Sequence, residues 1–501
     1  MPDGDEVVTA TVTTGNSAGD GSSPVLVSIK PPEGSVRTPS DICCIVDVSG
    51  SMSNEALLQG EDGNMSAHGL SVLDVVKHAL RTTIANLGEY DRMALIAYSN
   101  LATTIFELTE MDERGRISCQ GKLDELQASG MTNLWDGLQT GLGLLTSTPA
   151  AGRLQHIMLF TDGLPNINPP RGILPMLKRL KDKSEGGRLP CTISTFGFGY
   201  ELDSPLLSQL AVDGFGAYAF IPDAGFVGTV FVNAMTNLLV TMAKDAVLIL
   251  KPVNGASFAG SGVLGGHPAV DAEVRRVNIG TLQFGQAKDV VVNMSIPAGT
   301  SDVLEATVEY STRAGPRQVQ ATGGTDASEV ELQRLRLKAV DCIREAMQSL
   351  KLTAMDKANG IPLPLDAAEL SIKAAIDEIT SSSVQGAESM QGLLEDLQGQ
   401  VSEALSREDW YQKWGIHYLP SLMFAHLTQQ CNNFKDAGVQ SYGGEVFQNL
   451  RDAADDIFLS LPPPTPAPRP APATTAAPAP TTAPARAAPI SMDMFYNAGG
   501  G

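Results

Sequence analysis

The segment Ile42-Cys43-Cys44-Ile45-Val46-Asp47-Val48-Ser49-Gly50-Ser51-Met52 constrains the fold more than any other stretch. Its unbroken apolar run leaves no polar face, so it predicts a strand buried on both sides, as in a parallel sheet covered by helices. The run ends in a carboxylate, and two hydroxyls follow at two-residue spacing around a glycine. Side chains at that end of a strand stand where open α/β sheets bind ligands. Asp47, Ser49 and Ser51 offer only oxygen, and Gly50 permits turn angles that let the three converge. A small, hard cation suits that donor set.

Two later segments continue the pattern. Gly130-Met131-Thr132-Asn133-Leu134-Trp135-Asp136-Gly137-Leu138 leads into an apolar-periodic helix through Leu145, and His156-Ile157-Met158-Leu159-Phe160-Thr161-Asp162-Gly163 is a second buried strand ending in a carboxylate. Taken in order, the three loops resemble the metal-ion-dependent adhesion site of von Willebrand factor type A domains. That resemblance implies a cation held by Asp47, Ser49, Ser51, Thr132 and Asp162. Hydroxyls and carboxylates in a compact, few-ligand site favour Mg²⁺ or Mn²⁺ over Ca²⁺, which takes more oxygens in a looser cage.

The chain has 501 residues, 43% of them hydrophobic, enough for several buried cores. Its formal net charge of −21, with no local block of Lys and Arg, disfavours nucleic acid and anionic lipid as partners. Cys43, Cys44, Cys119, Cys191, Cys342 and Cys431 show no Cys-x-x-Cys spacing and read as reduced core residues, which disfavours a zinc module. The acidic start, Met1-Pro2-Asp3-Gly4-Asp5-Glu6, lacks a signal-peptide pattern, and no run of about 18 apolar residues occurs. The expectation is a soluble, cytoplasmic protein without a membrane span.

Five regions follow from composition and periodicity. Residues 1–39 carry alternating β segments (Val7–Val12, Val25–Ile29) and precede an α/β unit at 40–243. Residues 244–325 hold strands without intervening helices, so a β-sandwich assembled from both flanks of the α/β unit is expected. Residues 326–461 show helical stripes, one from Leu332 to Leu350, one from Leu370 to Ile379 and one from Leu393 to Leu405, which predict a helical bundle. Residues 462–501 are dominated by Pro, Ala and Thr and read as a disordered tail, with Ile490–Asn497 either a docking peptide or a frayed end. Residues 54–69 form a polar insertion, read as a solvated loop in preference to a lid.

The Trp414-Gly415-Ile416-His417-Tyr418-Leu419-Pro420 and Cys431-Asn432-Asn433-Phe434 segments resemble the helical region of intracellular proteins that pair a von Willebrand factor type A domain with a Hedgehog/intein-like module. No such module is seen here, so its chemistry is not carried over. The glycine-rich stretch Gly260–Gly266 lacks the Lys-Ser/Thr of a phosphate loop and reads as a loop between strands. His417 and His426, nine residues apart, fall on different faces of a helix and read as core or surface residues. The expected function is cation-dependent binding of a protein partner through an exposed Asp or Glu of that partner. A non-catalytic scaffold in a ubiquitin or trafficking complex is the alternative, and a metal-dependent hydrolase the minor one, since no general base recurs in the three loops.

Overall fold

A computed structural model describes residues 7–464 and 466, apart from 18–20, 35–36, 60–64, 150–151, 185–186, 268, 271–272, 353–354 and 356–358. Residues up to 466 make one compact unit. The expectations for the Pro/Ala/Thr-rich tail and for Ile490–Asn497 lie outside the described residues.

Strands β1 (Thr9–Thr14) and β2 (Ser22–Lys30) come first, followed by β3 (Ser40–Asp47), whose residues are all buried. Alternate side chains of β3 enter different cores, Ile42, Cys44 and Val46 on one side of the sheet and Cys43 and Ile45 on the other. This double burial is why the run carries no polar face.

A hairpin of β4 (Glu55–Gln59) and β5 (Met65–Ser71) then intervenes. The insertion expected as a loop is therefore partly strand; its pairing is made by backbone and shows no apolar alternation in sequence. Helix α1 (Val72–Asn86) starts just after β5. Its start is fixed by a capping box: the Asp74 N–H donates to Ser71 Oγ (3.1 Å) and the Ser71 N–H to Asp74 Oδ2 (2.9 Å).

The unit continues through β6 (Arg92–Tyr98), β7 (Ala102–Glu110), α2 (Glu113–Asp124), α3 (Leu134–Ser147), β8 (Leu154–Thr161) and α4 (Ile173–Lys183). It closes with β9 (Thr192–Phe198), α5 (Ser204–Asp213), β10 (Phe215–Ile221) and α6 (Val227–Leu239). The sheet order is β10-β9-β8-β3-β6-β7, parallel except for the edge strand β7. Helices α1, α2 and α6 cover one face and α3, α4 and α5 the other.

Strand β11 (Thr241–Pro252) leads into β12 (Ser257–Val263), β13 (Ala269–Val270), β14 (Arg275–Gln283), β15 (Lys288–Ser295), β16 (Leu304–Thr312), β17 (Gly315–Gln320) and β18 (Thr322–Gly323). They form two sheets, β12-β15-β2-β1-β18 and β13-β14-β11-β16-β17. Val25, Val27 and Ile29 of the first sheet share a core with Leu248, Leu250 and Val308 of the second. The α/β unit is thus inserted between strands of a β-sandwich. Part of the glycine-rich stretch expected as a loop lies in β12.

The helical region comprises α7 (Ala327–Ser349), α8 (Leu365–Ser381), α9 (Glu388–Asp396), α10 (Ser402–Leu405), α11 (Glu408–Trp410), α12 (Ile416–Thr428) and α13 (Glu445–Ser460). The third helical stripe is broken between α9 and α10, where Gly399 takes non-helical angles (φ −88°, ψ −108°). After proline, glycine is the residue least favourable in a helix interior. Helix α12 packs on β10, α13 on α1 and α6, and α7 on the outer face of β2 and β15 through Val330 and Leu337 against Leu26 and Val291. All six cysteines are buried and unpaired. No helix among the described residues is long and apolar enough to cross a membrane.

Candidate metal-binding site

Parallel register places the two carboxylates. Val46 of β3 lies opposite Phe160 of β8, so the next residues, Asp47 and Thr161, are neighbours where both strands end. Thr161 Oγ1 donates to Asp47 Oδ2 (2.7 Å), and the backbone N–H of Ser49 donates to Asp47 Oδ1 (2.8 Å). Both oxygens of this fully buried carboxylate are therefore oriented. Ser49 Oγ lies 3.1 Å from Ser51 Oγ, which donates to Asp162 Oδ1 (2.7 Å). Four of the five residues implied by the resemblance form one connected chain of oxygens.

Thr132 joins them through main chain. The Gly50 N–H donates to Gly130 O (3.0 Å) and the Ser129 N–H to Val48 O (2.7 Å), which stitches the second loop to the first. Asn166, just beyond Asp162, accepts from the Thr132 N–H through its side chain (2.8 Å) and returns its own N–H to Thr132 O (3.1 Å). Asn100 Oδ1 accepts from the Met131 N–H (2.8 Å). The sequence pattern assigned no role to Thr161 or Asn100. Position was the available signal, since Thr161 directly precedes a ligand candidate at a strand end.

Burial pushes the Asp47 carboxyl above its ordinary range. Asp162 is pushed up to about 6 by burial, with the neighbouring charge of Asp47 adding to the effect and the Ser51 hydrogen bond opposing it. Neither carboxylate forms an ion pair with a Lys, Arg or His among the described residues. Elsewhere the fold does compensate a buried acid: Asp41, at the opposite end of β3, takes Arg92 (2.7 Å) and Arg153 (2.7 Å). Two adjacent acids, one buried and one half-buried, lacking a protein cation and linked by hydroxyls, fit a divalent cation. The described residues hold no group of three or more His, Cys, Asp or Glu able to bind a metal, so a transition-metal centre of that kind is not seen among them. The histidines of α12 are spoken for. His417 contacts Ser204 Oγ (2.6 Å) and Tyr200 O (3.0 Å), while His426 contacts Asp396 Oδ2 (3.2 Å) and Tyr442 Oη (2.9 Å).

A doubly wound sheet with this oxygen cluster at its C-terminal edge defines a class, and comparison with known proteins agrees. Residues 42–164 match the family model described as von Willebrand factor type A domain, and residues 387–456 match that described as VWA / Hh protein intein-like. The chain thus contains a von Willebrand factor type A domain. It is similar to the uncharacterized protein YfbK of Escherichia coli (strain K12), 25% identical over 209 residues that cover 41% of this chain and 32% of YfbK. It is also similar to the uncharacterized protein sll0103 of Synechocystis, 25% identical over 284 residues covering 54% of this chain and 60% of that protein. The chain thus spans less than two thirds of either relative. A solved structure, von Willebrand factor type A from Catenulispora acidiphila, aligns over 84% of this chain and 98% of its own with a TM-score of 0.59 at 14% identity, a likeness of fold.

Proposed function

We propose that the chain binds a protein partner through a divalent cation, Mg²⁺ or Mn²⁺, held by Asp47, Ser49, Ser51, Thr132 and Asp162, with the partner supplying an Asp or Glu. The observation that carries this reading is a pair of carboxylates, the fully buried Asp47 and the half-buried Asp162, that have no cationic partner among the described residues and are connected through Ser49 and Ser51. A bound cation supplies a Lewis-acidic point of attachment for an external carboxylate. The residues of this chain do the rest. Two carboxylates balance the charge of a divalent ion, and the hydroxyls add neutral oxygens. Thr161 and the Ser49 N–H fix the Asp47 carboxylate, while Asn166 ties the second loop to the third and Asn100 ties it to the turn between β6 and β7.

The test is capture of partners from cell extract with and without chelator, combined with calorimetric titration of Mg²⁺ into the purified chain. Asp47→Ala is expected to abolish both Mg²⁺ binding and chelator-sensitive capture while the far-UV spectrum stays that of the folded chain. An Asp or Glu to Asn or Gln change in the captured partner is expected to weaken binding nearly as much as chelation. Chelator-sensitive capture by Asp47→Ala would refute the site, and equal binding of the amide-substituted partner would leave the ion a structural role.

A further inference from the structure

The sequence reads as having no local block of Lys and Arg, and helix α4 is where that expectation fails. Residues 171–183 hold five basic residues, Arg171, Lys178, Arg179, Lys181 and Lys183, against one acid, Asp182, in a chain whose formal net charge is −21. Apolar residues interleave them, so no basic run shows in the sequence; the helical period gathers them. Ile173 and Leu177, four residues apart, are buried against the sheet. Arg179 and Lys183, also four apart, are exposed on the side turned away from it.

Four of the five cations are free to meet a partner. Lys181 is engaged within the fold, its ammonium 3.4 Å from Asp213 O and 5.0 Å from the centroid of the Phe215 ring. Arg171, Lys178, Arg179 and Lys183 are exposed and form no ion pair with any described residue. Asp182 forms none either, so the helix does not neutralise itself. Arg179 and Lys183 are like charges at i,i+4, a pairing that weakens a helix. The other helices on this face bring little compensation. Helix α3 has the single acid Asp136, which accepts from the Ala102 N–H (2.6 Å), and α5 has Asp213, which accepts from Gln209 Nε2 (3.1 Å).

The course of the chain ties this helix to the cation site. Helix α4 joins the parallel strands β8 and β9, so it starts at the sheet edge that carries Asp162 and runs back along the sheet. Arg171 lies five residues beyond Asn166, which is fastened to Thr132, at most about 17 Å of chain. The helix itself is about 16 Å long. An extended peptide of ten residues spans about 33 Å, enough to run from the cation site to the far end of α4. Charge selects an acidic occupant, and the net charge of the chain limits its size. A membrane surface or a nucleic-acid duplex would present its negative charge to the acidic remainder of the chain as well, whereas a short acidic peptide meets only the helix.

We propose that the exposed face of α4 is a docking surface for a run of Asp and Glu residues in the protein partner, continuing the contact that begins with a partner carboxylate at the cation site. The continuation rests on the reading of the cation site given above; the basic face does not.

The experiment titrates fluorescein-labelled decaglutamate into the full chain at low ionic strength, in Mg²⁺ and in chelator, read by anisotropy. Saturable binding is expected, with a steep loss on adding salt and no binding of decaglutamine. Arg179→Glu combined with Lys183→Glu should weaken it at least tenfold in either condition, with the far-UV spectrum unchanged because both positions are exposed. Arg179→Lys combined with Lys183→Arg keeps the charge and should leave binding as it was. Chelator and Asp47→Ala should each weaken binding several-fold and leave the remainder sensitive to the charge reversal. Undiminished binding by the charge-reversed chain, or no binding of decaglutamate in Mg²⁺, would overturn the proposal; in the first case, loss of binding in Asp47→Ala would leave the cation reading standing. A loss on charge reversal that neither chelator nor Asp47→Ala reproduces would keep the α4 surface and refute its continuation to the cation. Binding of phosphatidylserine vesicles or of a short DNA duplex through α4, more tightly than decaglutamate, would overturn the choice of a protein partner.

Discussion

Asp47 is held at both oxygens, and the two donors differ in consequence. The Ser49 N–H is part of the turn and cannot be removed without rebuilding the loop, whereas the Thr161 hydroxyl is one side-chain atom on a buried strand. Thr161→Val keeps the shape and removes the donor, so the chain should fold while calorimetric Mg²⁺ affinity falls about 10- to 100-fold, the range for groups that orient a metal ligand. Unchanged affinity would make Thr161 a packing residue only. Lys288 gives a prediction of a different kind. Its ammonium is buried and donates to the carbonyl of Thr428; burial, reinforced by the charge of Arg336, lowers its pKa to about 7. Unfolding would restore an ordinary lysine near 10.5, so the unfolded chain takes up a proton between about pH 7 and 10.5. The contribution of this group to stability therefore rises with pH across that window and is lost as pH falls through about 7. Denaturant midpoints measured from pH 7 to 10 should show that rise, and Lys288→Met should flatten it.

Helix α3 carries a pair of glycines that separate packing from propensity. A Cβ at Gly137 would lie 2.7 Å from Tyr98 Cδ1 and 3.0 Å from Ile45 Cγ2, both on buried side chains, while a Cβ at Gly143 would meet nothing within 4 Å. Gly143→Ala should therefore stabilise the chain by about 0.5–1 kcal/mol through helix propensity alone. At Gly137 the same gain is outweighed by overpacking of about 1–3 kcal/mol, so Gly137→Ala should lower the denaturant midpoint that Gly143→Ala raises. The contrast follows the helical period, since Gly137 lies on the buried side of α3 with Leu134, Leu138 and Leu145 while Gly143 is exposed on the other side. Legibility elsewhere followed one rule. Strands β3 and β8 could be read because burial on two faces demands unbroken apolar runs, and the three loops could be read because their donors follow strand ends or precede a helix. The hairpin of β4 and β5 and the edge strand β7, polar and exposed along much of its length, escaped notice because backbone pairing leaves no apolar trace there. Thr161 was invisible for the opposite reason, since a β-branched residue in a buried strand looks like packing.

Two structural regions meet at one side chain, and the third lies one helix away. Arg336 of α7 is 3% exposed; its Nη2 donates to Asp289 O on β15 (2.9 Å), its Nη1 to the carbonyl of His426 on α12, and its Nε to Gln333 Oε1 (2.6 Å). It thus fastens the helical region to the sandwich, and α12 in turn lies against β10 at the edge of the α/β sheet, where Ser421 Oγ donates to Tyr218 O (3.2 Å). Replacement by methionine preserves apolar volume but leaves two buried main-chain carbonyls without their charged donor, each such hydrogen bond being worth about 1.5–3 kcal/mol. Arg336→Met should therefore cost about 3 kcal/mol or more, read as a lower urea midpoint. The three tryptophans report where the loss is felt, Trp135 in α3 and Trp410 and Trp414 at the helical region. If the regions are coupled through Arg336 and α12, single-tryptophan versions of the natural chain unfold at one midpoint. In the Arg336→Met background the helical-region probes then melt before Trp135. Coincident melting of all three probes in that background would place the coupling in the α6–α13 contact instead.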